Sequence, residues 1–299
     1  MSGYAVLKLA LALLGMLVLG LEVYRGRRGR DANRVLLAGA MLATLVYFAP
    51  GFSRGGFVHR WEMFHYYLGA KYQPELGYER LYTCVVTVDV ADAVPGARSR
   101  RVRDLRDDTL TTGERLIATS PPCEPSFTAA RWHEFRDDVR TFRRQSGTRR
   151  FWEGMGQDHG YNPPPLWTLM GGSLARLASP SLGFLTALAT LDVALMVGAV
   201  ALLAWGFGPR VALVSGLFWG TQAASDFAWT GGGFLRQDWL FCAVAALALS
   251  RRGRPFPAGA AFVTAALLRV FPALLGVGVA VWMVRRVLER RTLSSEQWR

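Results

Sequence analysis

Residues 4–24 read YAVLKLALALLGMLVLGLEVY, and all but Lys8 and Glu22 are uncharged and mostly apolar. About 20 such residues in a helix cross a hydrocarbon core roughly 30 Å thick. No basic segment precedes the stretch, and the flank Arg25-Gly26-Arg27-Arg28-Gly29-Arg30 reads as a stop-transfer anchor, so a cleaved signal peptide is not expected. Further apolar runs follow at 35–52, 183–207, 210–225, 237–250 and 258–284, and 51% of the 299 residues are hydrophobic. The expected class is an all-α polytopic protein of a bacterial inner (cytoplasmic) membrane.

The net charge of +13 invites a nucleic-acid partner, but its location argues against one. The long segment 53–165 is nearly balanced, with 17 Lys/Arg against 15 Asp/Glu. Most of the excess sits in Arg25–Arg34, Arg251–Arg254 and Arg285–Arg291, short segments beside apolar runs. Such segments are retained in the cytoplasm, so the charge reports topology.

Placing those three segments inside orders the chain as two N-terminal spans over 1–52, a large extracytoplasmic domain over 53–165, and the remaining membrane segments over 166–299. Residues 166–179 read as an interfacial helix, because Arg176 and two glycines make a poor span. The run 258–284 is long for one helix. Pro272, which lacks an N–H and clashes with the preceding turn, predicts a break at Arg269-Val270-Phe271-Pro272. The expected total is about seven membrane segments, two of them short.

Within 53–165 a mixed α/β domain is expected. Trp61 to Tyr72 is aromatic and suits a helix at the membrane interface. Cys84-Val85-Val86-Thr87-Val88-Asp89-Val90 is β-branched and alternating, which predicts a strand. Residues 131–145 form a charged amphipathic helix, on which Asp137 and Asp138 are expected to be solvated. Gly154 to Pro165 is an irregular loop. An oxidising compartment would allow Cys84 and Cys123 to pair, although two cysteines in one domain also stay apart. Cys242 falls in an apolar run and reads as a packing residue.

All four histidines, His59, His65, His133 and His159, lie in the same long segment, at spacings that match no common zinc pattern. There is no CxxC pair, no P-loop and no GxGxxG after a strand. Neither a metal nor a cofactor is expected.

Three motifs stand out in order: Trp61-Glu62-Met63-Phe64-His65-Tyr66-Tyr67-Leu68-Gly69-Ala70 after an outward span; Tyr161-Asn162-Pro163-Pro164-Pro165-Leu166 ending the loop; and Arg251-Arg252-Gly253-Arg254-Pro255, then Ala258-Gly259, then Leu268-Arg269-Val270-Phe271-Pro272. In these the chain resembles the GT-C superfamily of polytopic glycosyltransferases, most closely the family-87 type that uses polyprenyl-phosphate-mannose. The resemblance covers roughly 55–80 and 160–290. The chain departs from it at Glu62, where Asp is usual, at Arg269-Val270, where Lys-Pro is usual, and in an expanded loop. It also ends after about seven segments, where these enzymes continue.

The resemblance implies transfer of a sugar from a polyprenyl-phosphate donor on the extracytoplasmic face. Such a transfer needs a base for the acceptor hydroxyl and positive charge around the leaving phosphate. Glu62 is the candidate catalytic base. His65 and Tyr66 share its helix face at helical spacing. Asp158, His159 and Tyr161 are candidates for the acceptor side, and Arg269 for the donor phosphate. Each has a plainer reading. Glu62 pairs with Arg60 or another arginine, His65 joins an interfacial aromatic cluster, and Arg269 snorkels to headgroups or pairs with Asp226 or Asp238. Asp192 is expected to pair with a polar neighbour. The alternative function is a non-catalytic assembly subunit of a larger membrane complex on the same scaffold, covered by partner subunits. Membrane lipids are expected partners in either case.

Overall fold

Helix α1 (Gly3–Arg25) is the quoted apolar stretch, and its 23 residues span about 34 Å. Helix α2 (Arg30–Ser53) follows after a short basic turn. The structure, a computed structural model, describes residues 3–26, 29–53, 56–222 and 227–290. It is mostly helical, with one two-stranded sheet among the described residues. Two compact units emerge: Met1–Phe57 with Thr190–Arg299, and Val58–Ala189. The second unit holds most of the expected 53–165 domain and continues to Ala189.

The Val58–Ala189 unit contains α3 (Arg60–Lys71), α4 (Gln73–Leu76), α5 (Leu81–Ala91), the hairpin β1 (Arg101–Asp104) and β2 (Thr109–Thr112), α6 (Gly113–Thr119), α7 (Ala129–Gln145), α8 (Arg149–Met155) and α9 (Pro165–Ala175). Helix α3 forms where the sequence predicts one but is a core helix instead of an interfacial one: Met63, Phe64, Tyr67 and Leu68 are almost fully buried. Its aromatic residues pack on each other and on Phe142 and Trp152, so apolar contact inside the unit replaces the bilayer. The strand expected at 84–90 is helix α5. Burial all round, including Cys84, Val85, Val86 and Val88, removes the need for one wet face, and Thr87 bonds back to the Thr83 carbonyl at 2.8 Å. A disulfide joins Cys84 to Cys123.

Helix α7 is amphipathic, burying Trp132, Phe135, Val139 and Phe142 at helical spacing. Asp138, expected on the solvated face, is buried instead. It lies 2.7 Å from Lys71 Nζ and accepts a hydrogen bond from the Tyr72 hydroxyl at 2.8 Å. Lys71 also reaches Glu134 at 2.8 Å. Asp89 on α5 accepts from Arg100, Arg143 and Trp152 at 2.6, 2.6 and 2.7 Å. Asp92 takes Arg140 and Arg143. Buried carboxylates thus tie α5 to α7 and α8, each with several donors, as burial of charge requires.

The remaining helices are α10 (Leu182–Phe207), α11 (Pro209–Thr221), α12 (Phe227–Thr230), α13 (Asp238–Arg251), α14 (Pro255–Leu268) and α15 (Leu275–Arg290). The boundary between the units falls within α10. Helices α1, α2 and α10 are long and apolar enough to cross a membrane. The predicted break is present: α14 ends at Leu268, and the turn Phe271–Leu274 separates it from α15.

Within the unit formed by the chain's two ends, α1, α2 and α11 pack through Leu11, Leu36, Ala40, Ala43, Val46 and Leu217. A Cβ on Gly220 would lie 2.5 Å from the Ala43 carbonyl oxygen, so glycine sets how closely α11 approaches α2. Lys8, in the first apolar run, is buried and donates to the Gln222 carbonyl at 3.1 Å. Asp192 does have polar partners: its Oδ1 accepts the backbone N–H groups of Arg236 and Gln237 at 2.7 and 3.0 Å. Asp226, Arg27, Arg28 and Arg291, invoked for pairing and topology, lie outside the described residues.

Candidate functional site

The first turn of α3 is built by His59, whose Nδ1 accepts the Glu62 N–H at 3.2 Å. This cap holds Glu62 at the helix N-terminus, where the backbone dipole favours a carboxylate. Glu62 and Tyr66, one turn apart, are both partly exposed, while the intervening Met63, Phe64 and His65 point into the core. Arg60, the partner suggested by the plainer reading of Glu62, donates to the Gln145 carbonyl at 2.9 Å.

The segment Tyr161–Trp167, almost a hundred residues later, folds onto this face. The Tyr66 hydroxyl approaches Asn162 Oδ1 at 3.4 Å, and its ring meets those of Tyr161 and Trp167 edge-on. Tyr161 itself is buried, and its hydroxyl donates to Thr168 at 2.7 Å. A Cβ on Gly69 would sit 2.2 Å from the Tyr161 ring, so the absence of a side chain there is what admits the tyrosine. The first two motifs are thereby brought together in three dimensions.

His65 is not part of the open face. It is 2% exposed; Nδ1 lies 2.8 Å from the Trp61 carbonyl, and Nε2 lies 2.7 Å from the Tyr82 hydroxyl and 3.0 Å from the Met155 carbonyl. Burial pushes its imidazole below the ordinary value, which favours the neutral ring. Tyr82, singled out by no motif, bonds to His65 and accepts the Gly160 N–H at 3.1 Å, linking α3, α5 and the 156–164 loop.

Asp158 lies on that loop and accepts from Trp61 Nε1 at 2.5 Å and from the His159 N–H at 2.8 Å. Burial pushes its carboxyl up, but the two hydrogen bonds and the nearby histidines outweigh that and hold it below the ordinary range. His159 is exposed and pairs with Asp108 on the hairpin at 2.9 Å. Trp61 therefore ties α3 to Asp158 and Tyr66 ties it to the Tyr161 segment, while His65 and Tyr161 are buried within the unit.

Arg269 belongs to the other unit. It caps the C-terminus of α14 in extended conformation, within electrostatic reach of Asp238, the second partner suggested for it. Asp238 is buried at the start of α13, beside Gln237. These two residues and Lys8 carry no motif, and the only signal in the sequence is a polar group inside an apolar run.

A cavity of about 420 Å³ opens between α3–α4 and α9, lined by Gln73, Tyr78, Thr168, Leu169 and Arg176 among others. No group of three or more His, Cys, Asp or Glu among the described residues is arranged to hold a metal. Comparison with family models, curated proteins and solved structures finds no match to this chain.

Proposed function

We propose that this chain is a GT-C-like membrane glycosyltransferase, of the family-87 type, that moves a sugar from a polyprenyl-phosphate donor on the extracytoplasmic face. The observation that carries the reading is the packing of the Tyr161–Leu166 motif onto the Glu62–Tyr66 face of α3. Two motifs distant in sequence meet at Tyr66, one turn along α3 from the partly exposed Glu62. In this reading Glu62 takes the proton from the acceptor hydroxyl, and Tyr66 and Asp158 position the acceptor. The Val58–Ala189 unit is the water-facing domain outside the inner membrane, with about seven segments of the chain in or against the bilayer. The Cys84–Cys123 disulfide supports an oxidising compartment for that unit, and the exposed arginines of 251–254 support a cytoplasmic turn.

Glu62→Gln keeps the shape and removes the base. Sugar transfer by the purified protein is expected to fall by about two to four orders of magnitude, the usual worth of general base catalysis. Unchanged transfer removes Glu62 from the mechanism. A second reading, a non-catalytic subunit of a membrane complex, draws on the interior position of His65, which is 2% exposed and so does not reach the open face. Native mass in mild detergent separates the two: a single chain favours the enzyme, and stoichiometric co-purifying subunits favour the scaffold.

A further inference from the structure

Leu169, within α9, and Leu177, just past its end, are 68% and 71% exposed in the Val58–Ala189 unit. Arg176 lies between them in sequence, and its guanidinium makes no hydrogen bond or ion pair among the described residues. Helix α10, long and apolar enough to span a bilayer, begins at Leu182. Six residues of chain reach at most about 20 Å, so Arg176 is tethered close to where the chain enters the membrane. The cavity of about 420 Å³ is lined by Arg176, Gln73 and Thr168 together with Leu169, Pro74 and Pro165. That volume and that mixture suit a small amphiphile.

We propose that this cavity is a headgroup site for an anionic phospholipid of the bilayer surface. Arg176 takes the phosphate through its planar fork, Gln73 and Thr168 face the remainder of the headgroup, and Leu169 and Leu177 lie along the first methylenes of the chains. The site adjoins the proposed reaction centre through Thr168, which accepts from Tyr161, but Arg176 is not one of the residues assigned to that centre. Ala70, in the cavity wall, is eight residues beyond Glu62 on α3, about 12 Å along the helix axis. The lipid is thus a fixed anchor for the unit and not the sugar donor, so the proposal does not depend on glycosyl transfer.

The experiment is native mass spectrometry of the full chain released from mild detergent, titrated with phosphatidylglycerol or phosphatidylcholine. Wild type is expected to retain phosphatidylglycerol preferentially. Arg176→Gln is expected to weaken that retention about fivefold, the worth of one basic residue at an anionic surface. Arg176→Lys is expected to recover part of it, and Arg150→Gln, elsewhere on the same unit, to leave it unchanged. Arg176 is exposed, so its replacement leaves the fold intact, which an unchanged unfolding temperature verifies. Equal retention by Arg176→Gln and wild type overturns the proposal. Equal retention of the two lipids overturns it as well, and so does complete displacement by millimolar inorganic phosphate, which marks a simple anion site.

Discussion

Lys71 is 1% exposed and sits between two carboxylates, Asp138 and Glu134, with the Tyr67 and Tyr72 rings on either side. Lys71→Met removes the cation and leaves Asp138 buried with only the Tyr72 hydroxyl. The expected loss is about 3–5 kcal/mol in the stability of this unit, measured by denaturant unfolding of the purified protein. The sequence hides this pair, because Lys71 ends an aromatic helix and Asp138 lies within a run of charges. Two other residues give the protein an acid-sensitive fold. Burial lowers the His65 value in the folded state below the 6.5 of a free imidazole, so the unfolded chain binds that proton first. The stabilisation is complete above about pH 6.5 and is lost as the pH falls below it. Hydrogen bonds from Arg140 and Arg143 hold Asp92 below its ordinary 3.8, so its contribution is present above that value and is lost as the pH falls further. Unfolding temperature recorded from pH 8 to pH 3 is expected to fall in two stages, and Asp92→Asn to flatten the second. A flat profile between pH 7 and 5 would remove His65 from this account.

Among the elements, α5 shows why local pattern fails. Its alternating β-branched residues predict a strand, yet Leu81, Tyr82, Cys84, Val85, Val86 and Val88 are all buried against different neighbours. Tertiary contact overrides a propensity difference of a few tenths of a kcal/mol per residue. By contrast α7 and the break at Arg269–Pro272 were legible, since each rests on a rule that acts within one or two turns: apolar spacing in α7, proline chemistry in the other. Helix α5 is also fixed to the 120–126 segment by the Cys84–Cys123 bond across 39 residues. Closing a loop of that size restricts the unfolded chain by about 4 kcal/mol. Cys84→Ser with Cys123→Ser is therefore expected to destabilise the unit by about 2–4 kcal/mol, with wild type under reductant shifting in the same direction. A shift within about 0.5 kcal/mol would mean that the unfolded chain is already compact there.

At the scale of the molecule, the long apolar helices α1, α2 and α10 were the readable part, because each fills a run of about 20 apolar residues, while the runs at 210–225, 237–250 and 258–284 gave shorter helices. The domain between α2 and α10 was not, since what assembles it is long-range: Trp61 with Asp158, Tyr66 with Asn162, Lys71 with Asp138. The candidate site was half legible for the same reason. Its motifs are visible in the sequence, but which of their residues face outward depends on the packing of α3. The proposed topology rests on charge and can be tested without function. A cysteine at Arg150 is expected to react with a membrane-impermeant thiol reagent on intact cells, and one at Arg254 only after lysis. The opposite pattern inverts the orientation.

The chain has only two lysines, Lys8 and Lys71, and both are buried, while every other basic side chain is an arginine. Amine-reactive labels and crosslinkers therefore find almost no handle on the folded protein, and lysine-directed proteolysis is silent until the fold opens. Acylation of Lys71 becomes a built-in reporter for opening of the Val58–Ala189 unit, and Lys8 one for the separation of α1 from the Gln222 carbonyl.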